Sequence, residues 1–138
     1  MFISVVIPTY NRRSILEKCL QALEHQDPSG EIENYEVVVV DDGSSDGTPD
    51  WLRQNAARFP HVRLVEQQHG GPAEGRNRGV DHAKGDVIVF IDSDLVVTSS
   101  FLASHARALS RRWNQQDNRL CFTYGAVINT AHFDQPTA

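Results

Sequence analysis

The sequence predicts an α/β fold in which a mostly parallel sheet carries helices on both faces. Short apolar runs alternate with stretches whose apolar residues recur at helical spacing, the pattern of repeated strand–helix units. The runs are apolar at consecutive positions, which is typical of strands that are buried on both faces. A length of 138 residues suits one domain with a core and is too short for two, so residues 1–138 are predicted to form a single domain.

The first half of the chain predicts two strands, each followed by a helix. Phe2–Ile7 is a β-branched run that ends at a proline, as a buried strand does. Asn11 is predicted to cap a helix in which apolar residues recur up to residue 23. Residues 36–40 contain four consecutive valines and predict the second strand. Thr48 and Pro49 then predict the N-cap and first turn of a second helix, which extends to residue 56.

The second half continues the alternation. Residues 62–65 predict a short third strand, and a Gly-Gly-Pro break precedes a predicted helix at 73–83. Residues 87–91 predict a fourth strand that ends at an aspartate. The spacing of apolar residues predicts a further helix at 101–109, and residues 120–128 predict a fifth strand.

Composition and charge exclude several classes of partner. The net charge of −5 argues against nonspecific attraction to nucleic acid or to anionic lipid, and no segment approaches the ~20 apolar residues of a membrane span. Cys19 and Cys121 fall in a predicted helix and strand and are predicted to be buried free thiols. These features predict a cytoplasmic protein; peripheral attachment to the inner face of the membrane stays open.

Polar residues follow three of the predicted strands. In an open parallel sheet, ligands bind beyond the carboxyl ends of the strands, where these residues should meet. The candidates are Thr9 and Tyr10 after the first strand, Asp41 and Asp42 after the second, Arg76 in the helix after the third, and Asp92 and Asp94 after the fourth.

The segment Asp92-Ser93-Asp94 is a candidate metal site. Alternate residues of an extended segment point the same way with Cα atoms ~6–7 Å apart, and two carboxylates at that separation repel by about 2–3 kcal/mol at an effective dielectric near 20. A hard divalent cation removes this repulsion and can bridge the oxygens of a diphosphate. The alternative is a solvated turn after the strand.

Asp42 is a candidate for recognising a nucleobase. A carboxylate accepts hydrogen bonds only, so it can pair with the ring N–H of uracil or guanine and not with a bare ring nitrogen, and Tyr10 is available to pack on the ring. The alternative is ordinary turn chemistry, because Asp, Gly and Ser are common after a strand.

Arg76 lies near a glycine pair in the first turns of a predicted helix, a position that suits contact with a phosphate or a base. The alternative is an exposed arginine paired with Glu74 or Asp81. The six histidines show no metal-ligand spacing, and no role is predicted for them.

Four segments, taken in order, resemble the opening of the family 2 inverting glycosyltransferases, and the resemblance covers roughly residues 3 to 97. They are residues 4–12 with Val-Ile-Pro-Thr-Tyr-Asn, residues 38–48 with Asp-Asp-Gly-Ser, residues 71–79 with Gly-Pro-Ala and Arg-Asn-Arg-Gly, and residues 85–94, which end in Asp-Ser-Asp. Four ordered motifs are far more specific than any one of them. The resemblance implies a fold of the glycosyltransferase A type, which is Rossmann-like, and a UDP- or GDP-sugar donor whose sugar passes to an acceptor hydroxyl with inversion.

The resemblance also implies roles for particular residues. Asp92 and Asp94 match the Asp-x-Asp motif, in which the first residue meets the ribose and the second the metal, usually Mn²⁺ or Mg²⁺; both are candidate metal ligands. The residues that it implies for nucleotide binding are Pro8, Thr9, Tyr10, Asp41, Asp42, Arg76, Asp92 and Ser93.

The sequence departs from the family in one respect. Such enzymes have a later acidic residue, often in Glu-Asp at a helix start, that deprotonates the acceptor hydroxyl; Asp134 comes too early and lacks that setting. The catalytic base is therefore unknown and expected C-terminal to residue 138, with the domain truncated before the acceptor-binding region. The acceptor would be a saccharide or a lipid-linked molecule; the sugar, the acceptor and the oligomeric state are not identified by the sequence.

Two other functions are alternatives to a glycosyltransferase. A nucleotide-binding or assembly module without transferase activity is consistent with the lack of a base. A phosphoryl-transfer domain of the receiver type also clusters aspartates at strand ends, but it expects an acidic pair after the first strand and a lysine after the last. Here the first strand ends in Pro8-Thr9-Tyr10, and no lysine follows Lys84.

Overall fold

The computed structural model of the chain describes residues 1–115 and 121–126. Within them, four parallel strands form one sheet in the order β3-β2-β1-β4. The strands are β1 (Phe2–Thr9), β2 (Asn34–Asp41), β3 (Val62–Glu66) and β4 (Val87–Phe90). The predicted parallel α/β fold is confirmed, and the first four predicted strands are all present.

Helices cover both faces of the sheet, as predicted. They are α1 (Arg13–Glu24), α2 (Thr48–Gln54), α3 (Pro72–His82) and α4 (Phe101–Gln115), with a short 3₁₀ helix at Ala56–Arg58. In the part of the chain that the structure describes, no helix is both long and apolar enough to cross a membrane.

The larger hydrophobic core lies between the sheet and helices α1 and α4. Every second residue of β1 faces it, because side chains alternate between the two faces of a strand. Its fully buried members include Ile3, Val5 and Ile7 of β1, Val37 and Val39 of β2, Leu16, Cys19, Leu20 and Leu23 of α1, and Leu102 and Ala106 of α4. The predicted burial of Cys19 is confirmed, and burial raises the pKa of this thiol to about 12.

The opposite face of the sheet is covered by α3, which lies against β1 and β2. Its two buried residues are glycines, Gly75 and Gly79. A Cβ atom on Gly79 would collide with the buried Val6 side chain, and one on Gly75 would lie 3.1 Å from Pro8 Cβ. Because these positions lack side chains, the helix backbone approaches the sheet closely, which fixes the direction in which its other residues project.

Two predicted helix caps are wrong. The N-cap of α1 is Arg12, and Asn11 adopts a positive φ of 50° so that its Oδ1 accepts a hydrogen bond from Ser45 N at 2.7 Å. Thr48 is the first residue of α2, and its Oγ1 donates to Asp46 Oδ1 at 2.5 Å. Both side chains have partners in the loop after β2, and those partners replace the expected bond to the helix terminus.

The predicted fifth strand is not found where it can be tested. Residues 121–126 have no regular secondary structure; residues 120, 127 and 128 lie outside the described residues. Phe122 and Tyr124 are 85% and 89% exposed, so this apolar run does not face the core as a buried strand would. Cys121, within the predicted strand, is a partly buried free thiol that packs against the larger core.

Candidate functional site

The predicted site residues meet at the carboxyl edge of the sheet. Thr9 and Asp41 are partners in the β1–β2 register and end their strands side by side. The strand order reverses at β1, since the chain adds β2 and β3 on one side and β4 on the other. A reversal of this kind opens a crevice at the strand ends, which is where open α/β sheets bind ligands.

The two strand-end residues each carry a buried polar atom without a partner. Thr9 is 3% exposed and Asp41 is 2% exposed. Asp41 Oδ2 accepts a hydrogen bond from Ser44 N at 2.9 Å, but neither Asp41 Oδ1 nor Thr9 Oγ1 has a hydrogen-bond partner among the described residues. Buried polar atoms are almost always satisfied, so this pair favours a polar ligand or solvent at the strand ends. Pro8, just before them, is buried beneath α3.

Asp42 is held by several donors of the segment that follows β3. Oδ1 accepts from Gln67 Nε2 at 2.8 Å and from Gly70 N at 2.7 Å, while Oδ2 accepts from Gly71 N at 2.9 Å. Burial opposes ionisation of this carboxyl, but these hydrogen bonds and the neighbouring His69 outweigh it and hold the pKa of Asp42 below its ordinary value. Asp42 is therefore an ionised, acceptor-only group near neutral pH.

Tyr10 and His69 form a ring pair above Asp42. Their ring centroids lie 4.3 Å apart, and both rings remain partly open to solvent. His69 Nδ1 hydrogen-bonds to the Asp42 carbonyl oxygen at 3.2 Å and lies 3.0 Å from the carboxylate Oδ2. Because the carboxylate can only accept, Nδ1 must carry the proton.

Asp92 and Asp94 lie in a turn after β4, in which Leu95 N donates to the Asp92 carbonyl oxygen at 3.1 Å, so the prediction of an extended segment is wrong. Their side chains are 58% and 47% exposed, whereas Ser93 between them is buried. Arg76 Nη2 lies 2.6 Å from Asp92 Oδ1, and Arg12 Nη1 lies 2.8 Å from Asp94 Oδ2. In this structure the repulsion between the carboxylates is thus offset by two arginines, and Arg76 pairs with neither Glu74 nor Asp81.

Hydrogen bonds between the loop after β1 and the loop after β2 hold in place the segment that carries Tyr10 and Arg12. Asn11 N donates to Ser44 Oγ at 2.9 Å, and Arg13 N donates to Asp46 Oδ2 at 3.1 Å. Burial opposes ionisation of Asp46, but hydrogen bonds from Thr48 and Arg13 outweigh it and keep the pKa of Asp46 below its ordinary value. The loops after β1 and β2 therefore form one structured support for Tyr10.

Three contributors to this site were missed by sequence reasoning: Arg12, Gln67 and His69. Arg12 lies in a matched segment, but its partner is 82 residues away, and no local pattern predicts such a pairing. The spacing of the histidines predicts no metal site and gives no sign of a role for His69. Its position directly before the Gly70-Gly71 break, three residues after β3, is the signal that could have identified it.

Asp92 and Asp94 are the residues that could hold a divalent cation. Within 1–115 and 121–126, no group of three or more His, Cys, Asp or Glu residues could do so. The pair nevertheless fits: both offer exposed carboxylate oxygens, which Mg²⁺ and Mn²⁺ prefer. Their arginine partners are at least a third exposed, and ion pairs of such groups contribute only about 0–1 kcal/mol, so a cation together with a phosphate can replace them.

A separate groove of about 760 Å³ lies on the outer side of α1. It is lined by residues of α1, by Arg58 and Phe59, and by Val96, and it contains none of the predicted site residues. We therefore place the candidate site by its chemistry, at the strand ends, and not by the volume of this groove.

Comparison with known proteins gives consistent matches. The chain is 37% identical over 132 residues to the uncharacterized glycosyltransferase YfnE of Bacillus subtilis, covering 96% of this chain and 32% of that protein. It is 38% identical over 104 residues to the poly(ribitol-phosphate) beta-glucosyltransferase of Bacillus spizizenii, covering 74% of this chain and 16% of the relative. The chain thus spans less than a third of the length of either relative.

Solved structures show the same fold. TarS of S. aureus, residues 1–349 in complex with UDP-GlcNAc, matches with a TM-score of 0.68 at 32% identity, over 81% of this chain and 32% of that one. The mannosyltransferase PcManGT from Pyrobaculum calidifontis, in complex with GDP-Man and Mn²⁺, matches with a TM-score of 0.69 at 34% identity, over 78% of this chain and 32% of that one. The family model for glycosyl transferase family 2 matches residues 4–120. The chain belongs to glycosyl transferase family 2.

Proposed function

We propose that this chain is the donor-binding portion of a glycosyltransferase that moves a sugar from a UDP- or GDP-type donor to an acceptor hydroxyl, with inversion and with a divalent metal. The observation that carries the proposal is the cluster at one edge of the sheet. Two exposed carboxylates, each paired with an arginine, lie at the same edge as Thr9 and Asp41, whose buried polar atoms lack partners. A nucleoside diphosphate presents the hydroxyls, ring and phosphates that such a set of groups can bind.

In this proposal the base lies near Tyr10 and Asp42. Tyr10 is 44% exposed and offers a ring face for stacking, which stabilises such contacts by about 0.5–1.5 kcal/mol beyond area burial. The ionised Asp42 accepts the ring N–H of uracil or guanine. UDP-GlcNAc and GDP-Man, the donors in the TarS and PcManGT structures, both carry such a base.

The diphosphate lies at Asp92 and Asp94. Asp94, with Asp92, would hold Mn²⁺ or Mg²⁺, which would supply positive charge against the leaving diphosphate. Arg12 and Arg76, which pair with these aspartates in the structure, are then free to contact phosphate oxygens. The chain itself contributes by holding these charged side chains in position before the donor binds.

The general base that activates the acceptor hydroxyl is proposed to lie outside residues 1–138. The relatives support this placement, because the chain covers only 32% of YfnE and 16% of the beta-glucosyltransferase. The acceptor, a saccharide or a lipid-linked molecule, would be bound by the same region.

Calorimetric titration of the purified chain with UDP, GDP, ADP and CDP tests the proposal. We expect UDP or GDP to bind in the presence of Mn²⁺ and to bind much more weakly in EDTA, with ADP and CDP weaker than both. A cooperative thermal unfolding transition, measured on the same sample, establishes that the chain is folded. A folded chain that binds no nucleotide, or that binds all four equally and without metal, would contradict the proposal.

A second assay separates a transferase from a nucleotide-binding module without activity. Slow hydrolysis of a UDP- or GDP-sugar by the chain, with water in place of the acceptor, would exclude the non-catalytic module. Nucleotide binding without any hydrolysis or transfer, in this chain and in a longer chain that contains the acceptor region, would favour the module instead.

A further inference from the structure

The His69 imidazole makes contacts of the kind that the proposed function assigns to a nucleobase. Its ring packs on Tyr10, with centroids 4.3 Å apart. Its Nδ1 hydrogen-bonds to the Asp42 main-chain carbonyl oxygen at 3.2 Å and lies 3.0 Å from the carboxylate Oδ2. The two ring planes are tilted by 32°. An aromatic ring against Tyr10, with a ring nitrogen beside the Asp42 carboxylate, occupies the place that the proposed function gives to uracil or guanine.

The hydrogen-bonding capacity of the Asp42 carboxylate limits what else it can accept. Each oxygen of a carboxylate has two lone pairs, about four acceptor positions in all. Oδ1 accepts from Gln67 and Gly70, which fills it, whereas Oδ2 accepts from Gly71 and faces His69. A base N–H can therefore reach Asp42 only at the position that faces His69, unless a backbone donor or Gln67 withdraws.

Of the groups that contact the Asp42 carboxylate, His69 is the one whose displacement costs the least free energy. Its side chain is 58% exposed, whereas that of Asp42 is 4% exposed, and two of the other donors are backbone N–H groups at the start of α3. When the imidazole moves into solvent, Oδ1 keeps its bonds from Gln67 and Gly70 and Oδ2 keeps its bond from Gly71, so the buried carboxylate stays hydrogen-bonded.

We propose that His69 occupies the place of the nucleobase in the free protein and swings out when a nucleotide binds. This inference rests on the proposed function, since it assumes that the base binds at Tyr10 and Asp42. The expected effect on affinity follows directly. The apparent dissociation constant of a nucleotide equals its intrinsic dissociation constant divided by the fraction of free molecules in which the His69 ring has left this place. His69 thus lowers the affinity for every nucleotide that uses this place by the same factor.

Substitution His69→Ala tests the competition. If the imidazole is in place in about 80–90% of free molecules, its removal should lower the dissociation constants of UDP and of GDP by roughly five- to tenfold in the presence of Mn²⁺. The dissociation constant of any other nucleoside diphosphate that binds measurably should fall by the same factor. The ratio of the affinities for two nucleotides should therefore stay unchanged. His25→Ala, an exposed histidine of the same kind next to the end of α1, is the matched control and should change neither constant.

A second measurement follows the imidazole directly. In the free wild-type protein, the Tyr10 ring current shifts the His69 ring proton resonances, and Tyr10→Ala removes that shift. Saturating UDP or GDP should move the His69 resonances of the wild-type protein towards their solvent-exposed positions. The comparison of wild type and Tyr10→Ala without nucleotide also tests whether the Tyr10 and His69 rings are in contact in the free protein.

The outcomes separate the two proposals. If His69→Ala binds nucleotide more weakly than the wild type, or if it changes the ratio of UDP to GDP affinity, then the imidazole contacts the bound base. Either result would overturn this inference and leave the proposed function standing. Unshifted His69 resonances in the free protein would do the same. Absence of nucleotide binding in both folded proteins would overturn the proposed function, and the inference with it.

Discussion

Arg76 Nη2 lies 2.6 Å from Asp92 Oδ1, and this contact joins α3 to the segment that follows β4. The direction of Arg76 depends on the close approach of α3 to the sheet, which two buried glycines of the same helix allow. Arg12 makes the corresponding contact with Asp94 from the segment between β1 and α1. The charges of the candidate site are therefore balanced by two arginines that are carried by separate elements of the fold.

Replacing Arg76 with alanine should weaken nucleotide binding. The guanidinium is the group proposed to contact a phosphate, and a hydrogen bond to a charged group contributes about 1.5–3 kcal/mol, so the dissociation constant of UDP or GDP should rise by roughly ten- to a hundredfold. Calorimetric titration with Mn²⁺ measures it. Arg78→Ala, an exposed arginine two residues further along α3, is the control and should bind as the wild type does. Equal affinities in the two variants would argue against a phosphate contact by Arg76.

Replacing Asp94 with asparagine should remove the metal dependence of nucleotide binding. A neutral amide is a much poorer ligand for a hard divalent cation than a carboxylate. Titrations with Mn²⁺ and with EDTA should then give similar, weak affinities, whereas the wild type should bind more tightly with Mn²⁺. Asp81→Asn, which removes a charge from the exposed side of α3, should keep the wild-type response to metal. A metal response retained in Asp94→Asn would contradict the assignment.

Most of the fold was predictable because its signals are local. The valine runs of β1 and β2, and the helical spacing of the core residues of α1, predict their elements without knowledge of distant contacts. The caps at Asn11 and Thr48 were mispredicted because each side chain bonds to a loop residue, and in the case of Asn11 that residue is 34 positions away. Residues 120–128 were expected to form a strand, but the described part, 121–126, has no regular secondary structure, and the rings of Phe122 and Tyr124 are exposed.

The candidate site was predictable in location and only partly in its contacts. Strand-end aspartates predict the edge of the sheet at which a ligand is expected, and the structure brings the predicted residues to that edge. The arginine partners of Asp92 and Asp94, and the donors around Asp42, come from segments that are 16 to 82 residues distant in the chain. Such pairings depend on how the loops lie over the sheet, which no local pattern specifies.

Substituting Gly79 with alanine should destabilise the protein. The added Cβ would collide with the Val6 side chain, which is fully buried and cannot move aside, so α3 must shift away from the sheet. Overpacking of this kind costs typically about 1–3 kcal/mol, which thermal or urea unfolding measures. Gly30→Ala is the control, because nothing lies within 4 Å of a Cβ atom at that position and its stability should stay close to that of the wild type. Equal stability of the two variants would show that α3 does not approach the sheet this closely.

The opposite, amino edge of the sheet is held by Glu36. Its carboxylate accepts hydrogen bonds from Ser4 Oγ and Lys84 N, each at 2.8 Å, and from Arg63 Nη2 at 3.0 Å. Burial opposes ionisation of Glu36, but these bonds outweigh it and hold the pKa of this carboxyl below its ordinary value. Three strands and the segment before β4 thus share one ionised carboxylate.

Substituting Glu36 with glutamine should make the stability of the protein less dependent on pH. A carboxyl whose pKa is lower in the folded state contributes stability above its unfolded pKa, about 4.3, and loses that contribution as the pH falls through the folded pKa. The variant should therefore be less stable than the wild type by about 1–3 kcal/mol at pH 7, with the difference narrowing below about pH 4. Urea denaturation at a series of pH values measures both quantities. Glu33→Gln, whose side chain is 85% exposed, should differ from the wild type by less than about 0.5 kcal/mol throughout. A difference for Glu36→Gln that is the same at every pH would mean that the loss comes from geometry and not from the charge of this carboxylate.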